Sequence, residues 1–200
     1  MNMEHYKSGV SENDPSSFEA LLDLLEFPRT SELVEARRTV LQLLQDPTSE
    51  PEAMQAAWIL FADAIEFIVE NPDLDAPTHT KLHIGAIIYK ALVFKEVGNH
   101  LRYAQELDDA ELYSSKANVP EISEQLGVEL KSVIETLPLD TPEIVMLKLR
   151  DKIIGDDRMT LLDSIYDGDD FDDVLGTAYG MLLENGFDPD DVMNEVGLTE

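Results

Sequence analysis

The sequence predicts an all-α fold, and three patterns support that prediction. All ten prolines fall between segments whose apolar residues recur with the helical period of about 3.6 residues. Acidic or hydroxyl residues stand beside many of these prolines, as they do where helices begin. No stretch alternates polar and apolar residues in the way a half-buried strand does. We therefore expect a compact multi-helix bundle of helical hairpins, with a second, smaller acidic helical segment at the C-terminus.

The prolines divide the chain into a tail and two groups of helices. Residues 1–15 are polar and aperiodic, which predicts a flexible tail. A helical bundle is expected over residues 16–117, with helices near 16–26, 31–46, 51–71, 79–97 and 99–116. An acidic helical segment is expected over residues 118–200, with helices near 120–126, 130–137, 141–154, 158–166, 169–185 and 189–195. Whether this segment packs on the bundle as one domain is left open.

The segment 51–71 is apolar on most of its circumference. One stripe steps by four and three residues, and it consists of Met54, Trp58, Phe61, Ile65 and Ile68. A second apolar surface consists of Ala56, Leu60 and Phe67. Such a helix is expected in the middle of a bundle, with Trp58 as a core residue. The residues expected to be buried together are Trp58, Phe61, Ile65, Ile84, Ile87 and Leu101.

Residues 120–137, PEISEQLGVELKSVIETL, resemble a helix-turn-helix motif. Gly127 stands where such a motif needs a left-handed turn, and apolar or small residues flank it. The second helix carries Glu129 and Glu135 against a lone Lys131, whereas helices that read DNA present cationic and amide side chains. We therefore interpret this segment as a helix-turn-helix used for packing.

The charge of the chain limits the partners it can have. The sequence contains 42 Asp and Glu against 14 Lys and Arg, which gives a net charge of −28. Binding nucleic acid directly requires clustered Lys and Arg, and so does attraction to an anionic membrane surface. We expect neither activity. No signal peptide is visible and no apolar stretch approaches the roughly 20 residues of a membrane span, so we expect a cytoplasmic protein.

The acidic residues are concentrated toward the C-terminus. Residues 151–200 hold 2 basic and 15 acidic residues, a net charge of −13, and no Lys or Arg follows residue 158. An apolar pattern persists there, which predicts folded helices with a negative outer face. The candidate partner-binding residues cluster at two expected helix starts: Asp167, Asp170, Asp172, Asp173, Asp190 and Asp191. Asp169 and Asp188 are the expected N-caps, because an aspartate there accepts hydrogen bonds from exposed backbone N–H groups.

The sequence predicts no catalytic, cofactor or metal site. It has no cysteine, no phosphate-binding glycine loop and no nucleophile elbow. His79 and His83 stand one helical turn apart, but no third ligand follows at a diagnostic spacing, so we interpret them as surface histidines. The acidic loops also fail the calcium-binding register of an EF-hand.

Three hypotheses about function remain. The first is a non-enzymatic interaction or regulatory protein, such as an adaptor, inhibitor or assembly chaperone, that presents an acidic helical face to a basic protein partner. The second is a nucleic-acid mimic that occupies the DNA or RNA site of a nucleic-acid-binding protein. The third is that the acidic surface is only an adaptation to high salt. The sequence does not define the oligomeric state.

Overall fold

A computed structural model describes residues 17–70, 74–138 and 141–198, without the side chains of Ser17 and Phe18. The predicted tail therefore lies outside the described residues, which contain helices and no strand. The helices are α1 (Ser17–Leu24), α2 (Ser31–Gln45), α3 (Pro51–Val69), α4 (Ala76–Glu96), α5 (His100–Lys116), α6 (Pro120–Ile134), α7 (Pro142–Lys148), α8 (Gly155–Asp167), α9 (Phe171–Glu184) and α10 (Pro189–Glu195). The all-α prediction is confirmed.

Most helix boundaries follow from local chemistry in the sequence. Proline occupies one of the first two positions of α3, α4, α6, α7 and α10, where its missing N–H leaves no hydrogen bond unmade. Asp75 caps α4 by accepting a hydrogen bond from the backbone N–H of Thr78 at 2.8 Å. Gly98 has a φ of +74° and Asn99 caps α5, so this pair forms the predicted turn between α4 and α5.

The helices pack as successive neighbours around a contiguous core. α2 packs on α3, α4 packs on α5, and α5 packs in turn on α6. α7 contacts both α5 and α9, so the buried side chains of the first five helices and of the last five form one cluster. Gly85 allows the Phe27 ring to approach α4 closely, because a Cβ atom at this position would lie 2.6 Å from that ring. Within the described ranges, no helix is both long and apolar enough to cross a membrane.

The predicted break at Gly127 is wrong, because α6 is one continuous helix. Its buried residues recur through the glycine at helical spacing, and they are Ile122, Leu126, Leu130 and Val133. Glu129 accepts hydrogen bonds from Lys95 at 3.0 Å and from the Tyr103 hydroxyl at 2.9 Å. The segment therefore packs as a single helix on α5, with one ion pair to α4, and it contains no helix-turn-helix.

The predicted position of α3 is also wrong. Its apolar circumference is covered on only part of its surface, by α2 and α4, and Ile59, Leu60 and Phe67 are 53%, 60% and 83% exposed. Of the residues expected to be buried together, Phe61 and Ile84 are buried. The remaining four are half-buried at the edge of the core: Trp58, Ile65, Ile87 and Leu101. α3 is thus an edge helix, because no further helix of the described chain covers its outer face.

Candidate functional site

An open groove runs between α3 and α5, with α4 as its floor. It has a volume of about 670 Å³, and side chains from all three helices line it. α3 packs mainly on α2, whereas α5 packs on α4 and α6, so a gap is left between α3 and α5 over α4. Two small residues are among those that line the groove, namely Ala62 on α3 and Ala86 on α4. We refer to this surface as the α3–α5 groove.

Aromatic and aliphatic side chains form the inner surface of the α3–α5 groove. The Trp58 ring meets Phe61 edge to face at 5.7 Å and stacks on Phe94 at 5.5 Å, measured between ring centroids. Ile65 and Ile87 are half-buried beside it. Trp58 is therefore held by its neighbours on one side and lines the groove on the other, which explains its partial exposure.

Carboxylates line the two walls of the groove. On the α5 side, Glu106 pairs with Lys90 of α4 at 2.6 Å. On the α3 side, Glu66 and Glu70 are one turn apart, and no cation among the described residues pairs with either of them. The pKa of Glu66 is raised, mainly by the negative charge of Glu70. A hydrogen bond from Glu70, slight desolvation and the charge of Asp63 act in the same direction. The α3 wall is consequently a site of unrelieved negative charge.

Asp109 of α5 adds a further carboxyl group to the same wall as Glu106. Desolvation is the main cause that raises the pKa of Asp109, and the negative charges of Glu106 and Asp108 add to it. Arg158 and Lys90 act in the opposite direction, but they are outweighed. The side chain of Asp109 nevertheless reaches solvent. It is available to a ligand that enters the groove.

His79 and His83 lie at the end of the groove where α4 begins. Their rings are 6.4 Å apart, and the His83 ring contacts Tyr113 of α5 at 4.8 Å. Burial and the neighbouring His79 lower the pKa of His83, so its neutral form is favoured. Nowhere in the described part of the chain do three or more His, Asp or Glu residues form a group that could hold a metal ion.

A buried ionic cluster lies beside the groove, between α5 and the start of α8. Asp108 has a side chain that is only 4% exposed, and it pairs with both Arg150, at 3.2 Å, and Arg158. Arg150 also pairs with Glu111 at 2.9 Å, and Glu111 accepts a hydrogen bond from Ser123 of α6. The cluster therefore joins α5 to α6 and to the C-terminal helices, which makes it a structural element.

The candidate aspartates predicted from the sequence lie on the last three helices, on a surface that we call the acidic end (residues 159–198 of α8, α9 and α10). All six are exposed. Asp167 is the last residue of α8, Asp172 and Asp173 are in the first turn of α9, and Asp190 and Asp191 are in the first turn of α10. Asp170 precedes α9. Five of the six therefore lie at helix starts as predicted, whereas Asp167 lies at the C-terminal end of α8 and not at a helix start. The role of all six in binding is a proposal.

One predicted cap at the acidic end is wrong and the other is confirmed. Asp170, not Asp169, caps α9, because its carboxylate accepts from the backbone N–H groups of Asp172 at 3.0 Å and Asp173 at 3.1 Å. Asp169 instead accepts a hydrogen bond from the Ser164 hydroxyl. Asp188 caps α10 as predicted. Replacing Asp170 would therefore weaken α9 as well as change the surface charge.

One hydrogen bond joins the middle of α9 to the start of α10. The Tyr179 hydroxyl, in the middle of α9, donates to Asp190 at 3.3 Å. Tyr179 lies only about 10 Å along the helix from Asp172, at 1.5 Å rise per residue. The one ion pair found here among the described residues joins Glu195 to Lys152 at 3.3 Å. The remaining carboxylates of the acidic end thus have no cationic side chain within the described chain.

The α3–α5 groove was missed by the sequence predictions. Periodicity showed that α3 has two apolar surfaces, but it did not show that only part of them would be covered. The alanines at positions 62 and 86 give a weak signal, because small residues on facing helices either allow close packing or leave a gap.

The fold and these surfaces define an all-α protein with an open three-helix groove and an acidic end that lacks cations. Comparisons of the chain with protein-family models, with curated proteins and with solved structures found no match.

Proposed function

We propose that this chain is a non-enzymatic, cytoplasmic interaction protein whose acidic end binds a protein partner with a basic surface. One observation supports this most directly: carboxylates are exposed on three ordered helices, and the same stretch contains no Lys or Arg. Charge of one sign on a fixed scaffold accelerates association with an oppositely charged protein. Direct binding of nucleic acid is not part of the proposal, because 42 acidic residues oppose 14 basic ones.

Asp167 is the candidate residue whose charge is not explained by stabilisation of a helix. Aspartates in the first turn of a helix stabilise it by complementing its dipole, so Asp172, Asp173, Asp190 and Asp191 have a structural role without any partner. Asp167 is exposed at the C-terminal end of α8, where a negative charge is unfavourable. Its presence there is consistent with a role in binding.

The proposal is tested by reversing charge at the acidic end without removing a cap. The variant Asp172→Lys, Asp173→Lys, Asp191→Lys changes exposed residues of helix first turns. A matched control is Glu19→Lys, Glu52→Lys, Glu121→Lys, because these residues are also exposed and also lie in helix first turns. Both triple variants change the net charge equally, so a difference between them depends on position.

Proteins captured from a lysate of the source organism at low salt are identified, purified and measured for association rate. The acidic-end variant should slow association at least tenfold and reduce its salt dependence, while the control retains most of the rate. Equal rates for both variants would show that the acidic end is only a solvated surface. If DNA displaces the captured protein, the nucleic-acid mimic is favoured over a general interaction protein.

A further inference from the structure

We propose that the α3–α5 groove binds an amphipathic, basic α-helix of a protein partner, with its apolar face on Trp58, Ile65 and Ile87 and its Lys or Arg side chains against Glu66, Glu70 and Asp109. This inference rests on the proposed function, since it assumes a basic protein partner. It assigns that partner a secondary structure and a second contact surface, separate from the acidic end.

The length of the groove fits a short helix. Along α3 the lining runs from Trp58 to Glu70, which is about 18 Å at 1.5 Å per residue. Along α4 it runs from His79 to Lys90, or about 16 Å. Both lengths correspond to about three helical turns, which is long enough for anchor residues at i, i+3 or i+4, and i+7 of a bound helix.

The apolar contacts are spaced to receive such a helix. Trp58 and Ile65 are two turns apart on the wall, and Ile87 is on the floor between the walls. All three are half-buried, so each retains apolar surface that the chain itself does not cover. A helix with large apolar residues at every third or fourth position would place two or three of them over this surface.

The charges around the groove select a cationic occupant. Glu66, Glu70, Glu106 and Asp109 contribute four negative charges, and Lys90 offsets one. The mutual repulsion that raises the pKa of Glu66 would be relieved by a cation placed between Glu66 and Glu70. A fatty acid or another anionic ligand would be repelled. A second copy of the chain would bring another net charge of −28, which also opposes association.

Trp58 supplies a direct measurement, because it is the only tryptophan in the chain and it lines the groove. The probe is a synthetic peptide of about four helical turns, made of Leu, Ala and Lys, with Leu at every third or fourth position and a fluorophore at its N-terminus. A control peptide has the same composition in an order that does not segregate Leu from Lys. The amphipathic peptide should shift the Trp58 emission to shorter wavelength and bind at least tenfold more tightly than the control peptide.

Two arginine substitutions on α3 distinguish peptide binding in the groove from binding elsewhere on the surface. Ala62→Arg places a bulky cation in the groove, whereas Ala56→Arg adds the same side chain at an exposed position of the same helix outside the groove. Circular dichroism first verifies that both variants are folded. By fluorescence anisotropy of the labelled peptide, Ala62→Arg should weaken binding at least tenfold, and Ala56→Arg should change it less than threefold.

The outcomes distinguish this inference from the proposed function. If both arginine variants bind the peptide equally, and binding is lost in the Asp172→Lys, Asp173→Lys, Asp191→Lys variant, the groove inference is wrong and the proposed function stands. Equal affinity for the two peptides would also overturn the inference, because only charge would then matter. If neither peptide binds even at low salt, the groove inference fails, and the proposed function is still decided by the association rates of the captured protein. A chain that is dimeric alone and becomes monomeric with Ala62→Arg would show that a second copy occupies the groove, which overturns the inference.

Discussion

Asp108 on α5 and the aspartates that begin α9 and α10 carry the same functional group in opposite environments. Asp108 is buried and is held by two arginines, Arg150 and Arg158. At the acidic end, carboxylates such as Asp172 and Asp191 are exposed and contact no cationic side chain of the described chain. Arg150 and Arg158 are therefore used inside the molecule, where they connect helices, and the surface of the acidic end is left negative.

This difference separates the carboxylates that stabilise the fold from those that are available to a partner. Removing one member of a buried ion pair leaves its partner charge unpaired, and that costs several kcal/mol. Removing an exposed charge changes the stability by only a fraction of that amount. Stability measurements can thus classify each aspartate before any binding partner has been identified.

The largest effect is expected at Asp108. Asp108→Ala would leave Arg150 without its most buried partner and would deprive Arg158 of its pair. We expect the free energy of unfolding to fall by about 3–5 kcal/mol, measured by urea denaturation. Asp163→Ala, at an exposed position of α8, is the control and should change the stability by less than about 0.5 kcal/mol. A loss below about 1 kcal/mol at Asp108 would mean that the cluster does not hold α5 to the C-terminal helices.

Intermediate effects are expected at the two N-caps of the acidic end. Asp170→Ala and Asp188→Ala each remove a carboxylate that accepts from two backbone N–H groups, and each should cost about 1 kcal/mol. Asp169→Ala should cost less than about 0.5 kcal/mol, since Asp169 accepts only from the surface hydroxyl of Ser164. Asp170→Asn should retain most of the stability, because asparagine is an equally good cap. A larger loss at Asp169 than at Asp170 would reverse this assignment.

Much of the fold could be predicted from the sequence because proline and helical spacing act locally. The positions of α1, α2, α3, α5, α9 and α10 agree with the prediction to within two residues at either end. The error at Gly127 has a local cause as well. Glycine in a helix costs about 1 kcal/mol relative to alanine, which burial of the surrounding stripe can offset. The apolar spacing from Ile122 to Val133 continues through Gly127 and was the better guide.

Less of the candidate site could be predicted, because it depends on which helix covers which face. The apolar stripe that contains Trp58 was evident in the sequence, but the gap between α3 and α5 arises from packing between distant segments. The clustering of aspartates at helix starts could be predicted, since acidic residues favour those positions. Which of two adjacent aspartates caps α9 could not, because that depends on the backbone angles at the end of α8, where Gly168 adopts a φ of +91°.

Reversing single charges at the acidic end should change the free energy of unfolding by a smaller amount. The change should have opposite signs at two positions, Asp167 and Asp172. Asp167→Lys puts a cation at the C-terminal end of α8 and should raise the stability by about 0.3–1 kcal/mol. Asp172→Lys puts a cation in the first turn of α9 and should lower it by a similar amount. Both variants reduce the overall negative charge equally, so relief of general repulsion would shift them in the same direction. Urea denaturation at low and high salt separates the two causes, because salt should diminish the difference.

The smallest effect is expected at Asp109, which lies beside Asp108 in the chain and is intermediate between the two environments. Its carboxyl is partly desolvated and faces Glu106 and Asp108, so the pKa of Asp109 is raised in the folded protein. The folded state therefore binds this proton more tightly than the unfolded chain does. It follows that ionised Asp109 opposes folding at neutral pH, and that this cost disappears as the pH falls below the pKa of the unfolded carboxyl.

Asp109→Asn should accordingly stabilise the protein slightly at neutral pH, and the gain should vanish in mild acid. Solvent contact and the attraction of Arg158 and Lys90 keep the gain small. The measurement is urea denaturation of both proteins across the acidic pH range, with Asp163→Asn as the exposed control. A loss of stability at neutral pH would show that Asp109 acts as a paired carboxylate like Asp108. A gain that does not depend on pH would show that its ionisation is not the cause. The expected pH-dependent gain would show that ionised Asp109 does not stabilise the fold. Its carboxylate would then be available, on the wall of the α3–α5 groove, to pair with a cationic side chain of a partner.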